Sequence, residues 1–176
     1  MKRRGVPAWL AAAAVIAACG PAAAETAAQL FSGFQAQSKD PVQVDAEVLE
    51  VYEEGKQRIS VFSGNVVVRR GNTTLKAATI TLYSDLAAKS VDAFTRIEAG
   101  GGVSVKSKDQ TVTGKTAVVN MDARTITVSG DVVLSQGGNV LTGSRLVVNL
   151  ATGRARLEGD QVRGVFTPSS PPQVGQ

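Results

Sequence analysis

Gly130-Asp131-Val132-Val133-Leu134, followed by Leu141-Thr142-Gly143-Ser144-Arg145-Leu146-Val147-Val148, is the stretch whose reading decides the fold, because the chain repeats it. Gly101-Gly102-Val103 and Gly64-Asn65-Val66 share its G-x-V opening, and Gly159-Asp160-Gln161-Val162 repeats it with one insertion. The glycines lie 37, 29 and 29 residues apart. Eleven residues beyond the first three stand Leu75, Val112 and Leu141; sixteen beyond, Ile80, Ala117 and Leu146; eighteen beyond, Leu82, Val119 and Val148. Offset thirteen is always small: Ala77, Gly114 and Gly143. Upstream, Val44, Ala46, Leu49 and Val51 keep the same spacing with no preceding G-x-V, like the second half of a unit. Such agreement marks a repeat architecture, in which units bury their apolar faces against one another.

Within each unit the apolar residues alternate. Ile126, Val128, Val132 and Leu134 share one parity, as do Val103 and Val105, and Phe62, Val66 and Val68. A period of two turns one face of each strand inward. β-branched residues dominate, and no stretch holds a 3.6-residue period long enough for a sizeable helix. The glycine in mid-run reads as a bulge or bend, and the small residue at offset thirteen as a point of tight packing. Asn72, Asp109 and Gly137-Gly138 mark hairpin ends. The expected fold is all-β, with repeated antiparallel strands stacked into two facing sheets or a solenoid. Its interior is expected to hold Val44, Leu49, Val51, Phe62, Val66, Val68, Leu75, Ile80, Leu82, Val103, Val105, Val112, Val119, Ile126, Val128, Val132, Leu134, Leu141, Leu146 and Val148. On the residues alone, these medium-sized aliphatics make a closed core.

Composition narrows the function. A chain of 176 residues allows one domain of ordinary size. With no histidine, Ser-His-Asp and Cys-His triads and His-ligated metals are excluded. A single Cys excludes an internal disulfide and a Cys-rich zinc cluster. No Ser has Lys three positions later, so S-x-x-K chemistry is absent. Asp45, Glu47, Glu50, Glu53 and Glu54 form the only acidic cluster, which reads as a solvated strand end and turn. Glycosidase work would call for aromatic sugar platforms, which a chain with only 5% aromatic residues scarcely offers. Gly100-Gly101-Gly102 follows no strand-to-helix pattern and is not a nucleotide loop. No enzymatic activity, cofactor or metal is expected. The formal charge of +4 suggests nucleic acid, but without Lys2, Arg3 and Arg4 the chain holds 16 basic and 15 acidic residues, and no nucleic-acid partner is expected. Arg69-Arg70 and Lys106-Ser107-Lys108 read as edge charges near hairpin ends. A role in meeting phosphorylated lipid head groups is the alternative.

Residues 1–24 read as a cleavable signal peptide. Lys2-Arg3-Arg4 give the positive start, Ala8 to Ala18 an eleven-residue apolar stretch, and Ala22-Ala23-Ala24 a small-residue cleavage site before Glu25. That stretch is shorter than the ~20 residues a membrane span needs. Ile16-Ala17-Ala18-Cys19 also fits a lipobox, in which Cys19 would be lipidated. Either route exports the protein. Residues 25–41 read as an N-terminal arm, 42–165 as the β-domain, and 166–176 as a polar, Pro-rich disordered tail.

The run Ser38-Lys39-Asp40-Pro41-Val42-Gln43-Val44-Asp45-Ala46-Glu47-Val48-Leu49-Glu50-Val51, followed by Val61-Phe62-Ser63-Gly64-Asn65-Val66, resembles the start of the OstA-like domain. The similarity continues through Gly130-Asp131-Val132 and Leu141-Thr142-Gly143-Ser144-Arg145-Leu146 and covers about residues 41–165. This family includes the periplasmic lipopolysaccharide transport protein LptA, LptC and the N-terminal part of LptD. A cleavable signal, a short chain and no following barrel favour the LptA type, and Ser38-Lys39-Asp40-Pro41 resembles its alphaproteobacterial branch. The resemblance implies an open, twisted, taco-like β-jellyroll whose apolar interior holds the acyl chains of lipid A. The residues from Leu49 to Val148 named above would then be lipid-binding. It also implies head-to-tail self-association into a periplasmic bridge, with LptC at the inner membrane and the N-terminal domain of LptD at the outer. The rival readings are a polymerising β-solenoid scaffold or adhesin without lipid cargo, and, further off, a polysaccharide-acting enzyme.

Processing is directly testable. Intact-mass analysis of the exported protein is expected to match a chain beginning at Glu25, with no tryptophan fluorescence because Trp9 is gone. Diacylglycerol on Cys19 would place the protein on a membrane instead.

Overall fold

A computed structural model describes residues 40–88 and 94–167. The signal peptide, nearly all of the N-terminal arm, and the tail from residue 168 onward lie outside the described residues. Phe166 and Thr167, assigned to the tail by composition, are described. Thr167 is tied to a hairpin end: its hydroxyl donates to the Gly138 carbonyl at 2.8 Å and its amide to Asn139 Oδ1 at 3.0 Å.

Among the described residues twelve strands form one antiparallel sheet: β1 (Gln43–Asp45), β2 (Val48–Glu54), β3 (Gln57–Arg70), β4 (Thr73–Asp85), β5 (Phe94–Gly100), β6 (Val103–Ser107), β7 (Gln110–Gly114), β8 (Thr116–Asn120), β9 (Thr125–Gln136), β10 (Asn139–Asn149), β11 (Ala155–Glu158) and β12 (Arg163–Val165). The long strands β3, β4, β9 and β10 each run from one half of this sheet into the other. The pairs β1/β2, β5/β6, β7/β8 and β11/β12 make the same passage as two shorter strands. One layer is therefore β1, the C-terminal part of β3, the N-terminal part of β4, β6, β7, the C-terminal part of β9, the N-terminal part of β10, and β12. The other is β2, the remaining parts of β3 and β4, β5, β8, the remaining parts of β9 and β10, and β11. The repeat in the sequence is this geometry: three whole two-stranded units, with a half unit at each end.

The layers meet along a crease built from the G-x-V motif. Gly64 and Asn65 have φ of 82° and 46°, and Gly130 and Asp131 have 83° and 49°. Two successive left-handed residues turn the strand sharply. Glycine takes that conformation without strain, and Asn and Asp tolerate it best among the rest. Glycine is needed for a second reason. A Cβ on Gly130 would stand 2.7 Å from Lys115 Cβ, and one on Gly64 would stand 2.6 Å from Glu47 Cβ. The neighbouring strand fills the space. The Lys115 amide donates to the Ser129 and Gly130 carbonyls, at 2.9 and 3.0 Å, and its ammonium pairs with Asp131 at 2.7 Å. That hydrogen bond holds the Asp131 carboxyl below, and the Lys115 ammonium above, their ordinary pKa values. Glu47 repeats the arrangement. Its amide donates to the Ser63 and Gly64 carbonyls, and its carboxylate accepts from Asn65 Nδ2 at 2.7 Å. Ala78 sits the same way against Gly101, and Ser144 against Gly159.

Inward faces of the two layers share one apolar cluster. Val66, Val68, Val103, Val105, Val112, Val132 and Leu134 come from the first layer. Ile80, Ala99, Ala117, Ile126, Val128, Leu146 and Val148 come from the second. Burying each Val, Ile or Leu contributes about 1.5–3 kcal/mol. The small residue at offset thirteen is a packing requirement: a Cβ on Gly114 would meet Val128 Cγ1 at 2.6 Å, and one on Gly143 would meet Leu157 Cγ at 2.8 Å.

Two glycines at positive φ separate conformational strain from crease packing. Gly137 (φ 55°) faces open space, whereas Gly130 abuts Lys115. Gly137→Ala is expected to cost about 1 kcal/mol, and Gly130→Ala roughly 2–4 kcal/mol, by urea denaturation.

Candidate functional site

The interior is not uniformly filled. Between the layers lies a cavity of about 490 Å³, within the range of small-molecule binding sites. Its walls come from both layers: Val42, Val44, Val68, Arg70, Leu75 and Val105 on one side, and Phe62, Ile80, Leu82, Phe94, Ile97, Ala99, Ala117, Val119, Met121 and Ile126 on the other. Val42 lines it and is 52% exposed, so the cavity reaches solvent at the N-terminal end of the stack. Toward the C-terminal end the interior is closed by side chains: Val112, Val132, Leu134, Leu146 and Val148 are buried and none lines the cavity.

Cross-strand register explains the room. One inward row of the second layer runs Leu49, Phe62, Ile80, Ala99, Ala117, Val128, Leu146, Leu157. The next runs Val51, Ser60, Leu82, Ile97, Val119, Ile126, Val148, Ala155. Ala99 opposite Ala117 leaves a gap beneath Phe62 and Ile80 where other units place a longer side chain. In the first layer the corresponding row is Val44, Val68, Leu75, Val105, Val112, Leu134, Leu141 and Gly164.

Of the expected interior residues, Val44, Phe62, Val68, Leu75, Ile80, Leu82, Val105, Val119 and Ile126 line the cavity. Val66, Val103, Val112, Val128, Val132, Leu134, Leu146 and Val148 are buried without lining it, and Leu141 is half-buried against the same cluster. Leu49 and Val51 depart from the expected burial. They lie on the inward face by register, yet are 54% and 55% exposed. The reason is position: among the described residues β2 pairs only with β3, and every residue of β2 is exposed. Sequence reading missed Val42, Arg70, Phe94, Ile97, Ala99, Ala117 and Met121 as lining residues. Ile97 and Ala99 carried a usable signal, since they stand four and two residues before Gly101, as Ile126 and Val128 stand before Gly130.

Polar groups rim the cavity's wall at the turn end of the first layer. Arg70, Thr73, Ser107, Gln110, Gln136 and Asn139 form one cross-strand row. Thr73, Ser107 and Gln110 are buried, with the Thr73 hydroxyl 3.4 Å from that of Ser107. The basic pair Arg69-Arg70 is split by strand alternation. Arg69 faces outward and pairs with Asp45, while Arg70 lines the cavity and donates from Nε to the Asp40 carbonyl at 3.1 Å. On the outer face of the other layer, Ile59 is 5% exposed between its cross-strand partners Tyr52 and Tyr83. Burial and the charge of Glu98, which accepts from the Tyr83 hydroxyl at 3.4 Å, raise the Tyr83 pKa.

The site is thus a groove, open at the N-terminal end of the stack, whose described lining is apolar but for Arg70. A model of the family described as LptA/(LptD N-terminal domain) LPS transport protein matches residues 43–154. An uncharacterised protein of Rhizobium meliloti (strain 1021) is 33% identical over 156 residues, covering 85% of this chain and 83% of its own length. Among solved structures, the fold is similar to that of LptH, the LptA homologous periplasmic component of the conserved lipopolysaccharide transport device from Pseudomonas aeruginosa. The TM-score is 0.62 at 18% identity, over 76% of this chain and 100% of that one, a likeness of fold. The β-jellyroll that the resemblance implied is the observed architecture, and the two facing sheets expected from the repeat are its layers. The chain belongs to the LptA/LptD N-terminal domain family of lipopolysaccharide transport proteins, a family of non-enzymatic transport components.

Proposed function

We propose that this protein is a periplasmic carrier that shields lipopolysaccharide acyl chains between its layers and joins end to end into a bridge from inner to outer membrane. LptC and the N-terminal domain of LptD would cap the bridge. The observation that carries the reading is the apolar cavity that opens at the N-terminal end, beside the exposed inward-facing Leu49 and Val51. Each buried methylene of an acyl chain gains about 0.8 kcal/mol, so a multi-chain lipid needs a continuous apolar lining to cross water. A wall of Phe62, Leu82, Ile97 and Val119 offers that lining, and Arg70 offers a cation at the rim.

Both ends favour addition of like domains. Among the described residues β1 and β2 pair only with β3, and β11 and β12 only with β10, so each end of the described stack presents an edge strand in both layers. Such edges are templates for pairing, and a head-to-tail contact that does not close yields a filament. A scaffold without cargo would share these edges but has no use for the cavity.

Photo-crosslinkers at Phe62 or Leu82 are expected to label lipopolysaccharide, while one at the outward Thr81 is not. Ala99→Leu with Ala117→Leu fills the cavity, and is expected to abolish that labelling while moving the unfolding free energy by about 1 kcal/mol or less. Equal labelling of both faces, or labelling that survives the filled cavity, would remove the carrier reading.

A further inference from the structure

We infer that Ser107 and Gln110, with Thr73 beside them, form a hydrogen-bonding subsite at the margin of the groove. It takes a hydroxyl carried near the polar end of an acyl chain. This rests on the carrier reading proposed above and specifies which acyl chains the groove selects.

The buried side chains among the described residues are apolar except along one row. Thr73, Ser107 and Gln110 are the buried polar ones, and they stand on the adjacent strands β4, β6 and β7. Register sets Arg70 opposite Thr73, Thr73 opposite Ser107, and Ser107 opposite Gln110. Strand alternation turns all four inward, two residues from Val68, Leu75, Val105 and Val112 respectively. Arg70, Leu75 and Val105 line the cavity, so the row runs along its margin at the turn end of the first layer. Successive inward positions on a strand lie about 7 Å apart. A chain seated against Leu75 and Val105 therefore carries its polar end to this row and its tail toward Ala99 and Ala117 at the crease.

The fold leaves these polar groups poorly satisfied. Gln110 is 6% exposed, and its Oε1 has no hydrogen-bond partner among the described residues. The Thr73 hydroxyl reaches that of Ser107 at 3.4 Å, longer than the roughly 2.5–3.0 Å of a good O–H···O bond. Buried polar atoms are nearly always paired, because losing water without replacement is costly. Aliphatic residues here, as on the next row, would fill the wall without that cost.

Chemistry selects the guest. The Gln110 carbonyl oxygen only accepts, whereas the Ser107 hydroxyl both donates and accepts. One hydroxyl set between these opposed residues donates to Gln110 and accepts from Ser107. It answers either orientation of the Gln110 amide, since it can also accept from the amide nitrogen. An ester or a bare methylene has no proton for the unpaired oxygen. Against Phe62, Ile97 or Val119 the same hydroxyl would lose its water and gain nothing. The row thus sets both the preferred chain and its orientation.

The test uses the exported protein with an apolar fluorescent probe, N-phenylnaphthylamine, displaced from the groove by fatty acids. Beta-hydroxypalmitic acid is expected to displace it at about tenfold lower concentration than palmitic acid. Gln110→Met keeps the side-chain volume and removes the acceptor, and is expected to shrink that preference to about twofold or less. Ser107→Ala is expected to act in the same direction and supplies the answer should Gln110→Met fold poorly. A row that merely caps strand ends would change stability in these variants without moving the ratio between the two acids. Equal displacement by both acids in the wild-type protein, or a preference that survives both variants, would overturn the subsite and leave the carrier reading standing. Failure of both acids to displace the probe, or of the probe to bind, would overturn both.

Discussion

The fold depends on a steric fit at the crease. A glycine with positive φ leaves room that a residue of the adjoining strand occupies, three times over: Glu47 at Gly64, Ala78 at Gly101 and Lys115 at Gly130; Ser144 packs as closely on Gly159, whose φ is ordinary. Because one strand carries two residues at the bend where its neighbour carries one, the ladder slips there, as it does between Ser63 and Val66 and between Gly143 and Arg145. The slip turns the sheet back on itself, so residues on one continuous face come to look at each other. Without it the same strands would make a flat sheet with an exposed apolar face, which is an aggregation hazard. The crease thus converts a period-two pattern into an interior.

What the interior can hold is set by residue size along the stack. The crease repeats at nearly equal spacing, but the inward rows do not repeat in volume. Ala99 and Ala117 stand where Val128 and Leu146 stand in the next unit, and Gly114 makes room for Val128 rather than for a ligand. The result is a filled C-terminal half and an open N-terminal half. The filled half supplies the cooperative core that a stack of weak units needs, and the open half holds the cavity.

The ends follow from the same logic. A closed barrel has no edges, whereas a stack folded along a crease must end in unpaired strands. Among the described residues each end stops at half a unit and exposes apolar side chains, among them Leu49 and Val51 at one end and Val165 and Phe166 at the other. Register with Phe62 and Ser60 places Leu49 and Val51 on inward rows that continue through the protein, and they are exposed because β2 has one described neighbour.

The sequence by itself determined the strands, their antiparallel repeat, the inward parity and the crease, because each is a local constraint written in residue type. Glycine is required at positive φ, a small residue is required at offset thirteen, and alternation follows from the pleat. Parity even placed Leu49 and Val51 on the correct face. Tertiary structure alone decided their exposure, since burial depends on whether a strand has a neighbour and a facing layer. It alone decided that the apolar interior opens at one end, because a cavity arises from several small residues on different strands meeting in space, as Ala99 and Ala117 do. It also divided Arg69 from Arg70, one paired outside with Asp45 and the other turned into the groove. Two adjacent identical residues in a strand are chemically indistinguishable until the sheet has chosen its inner face.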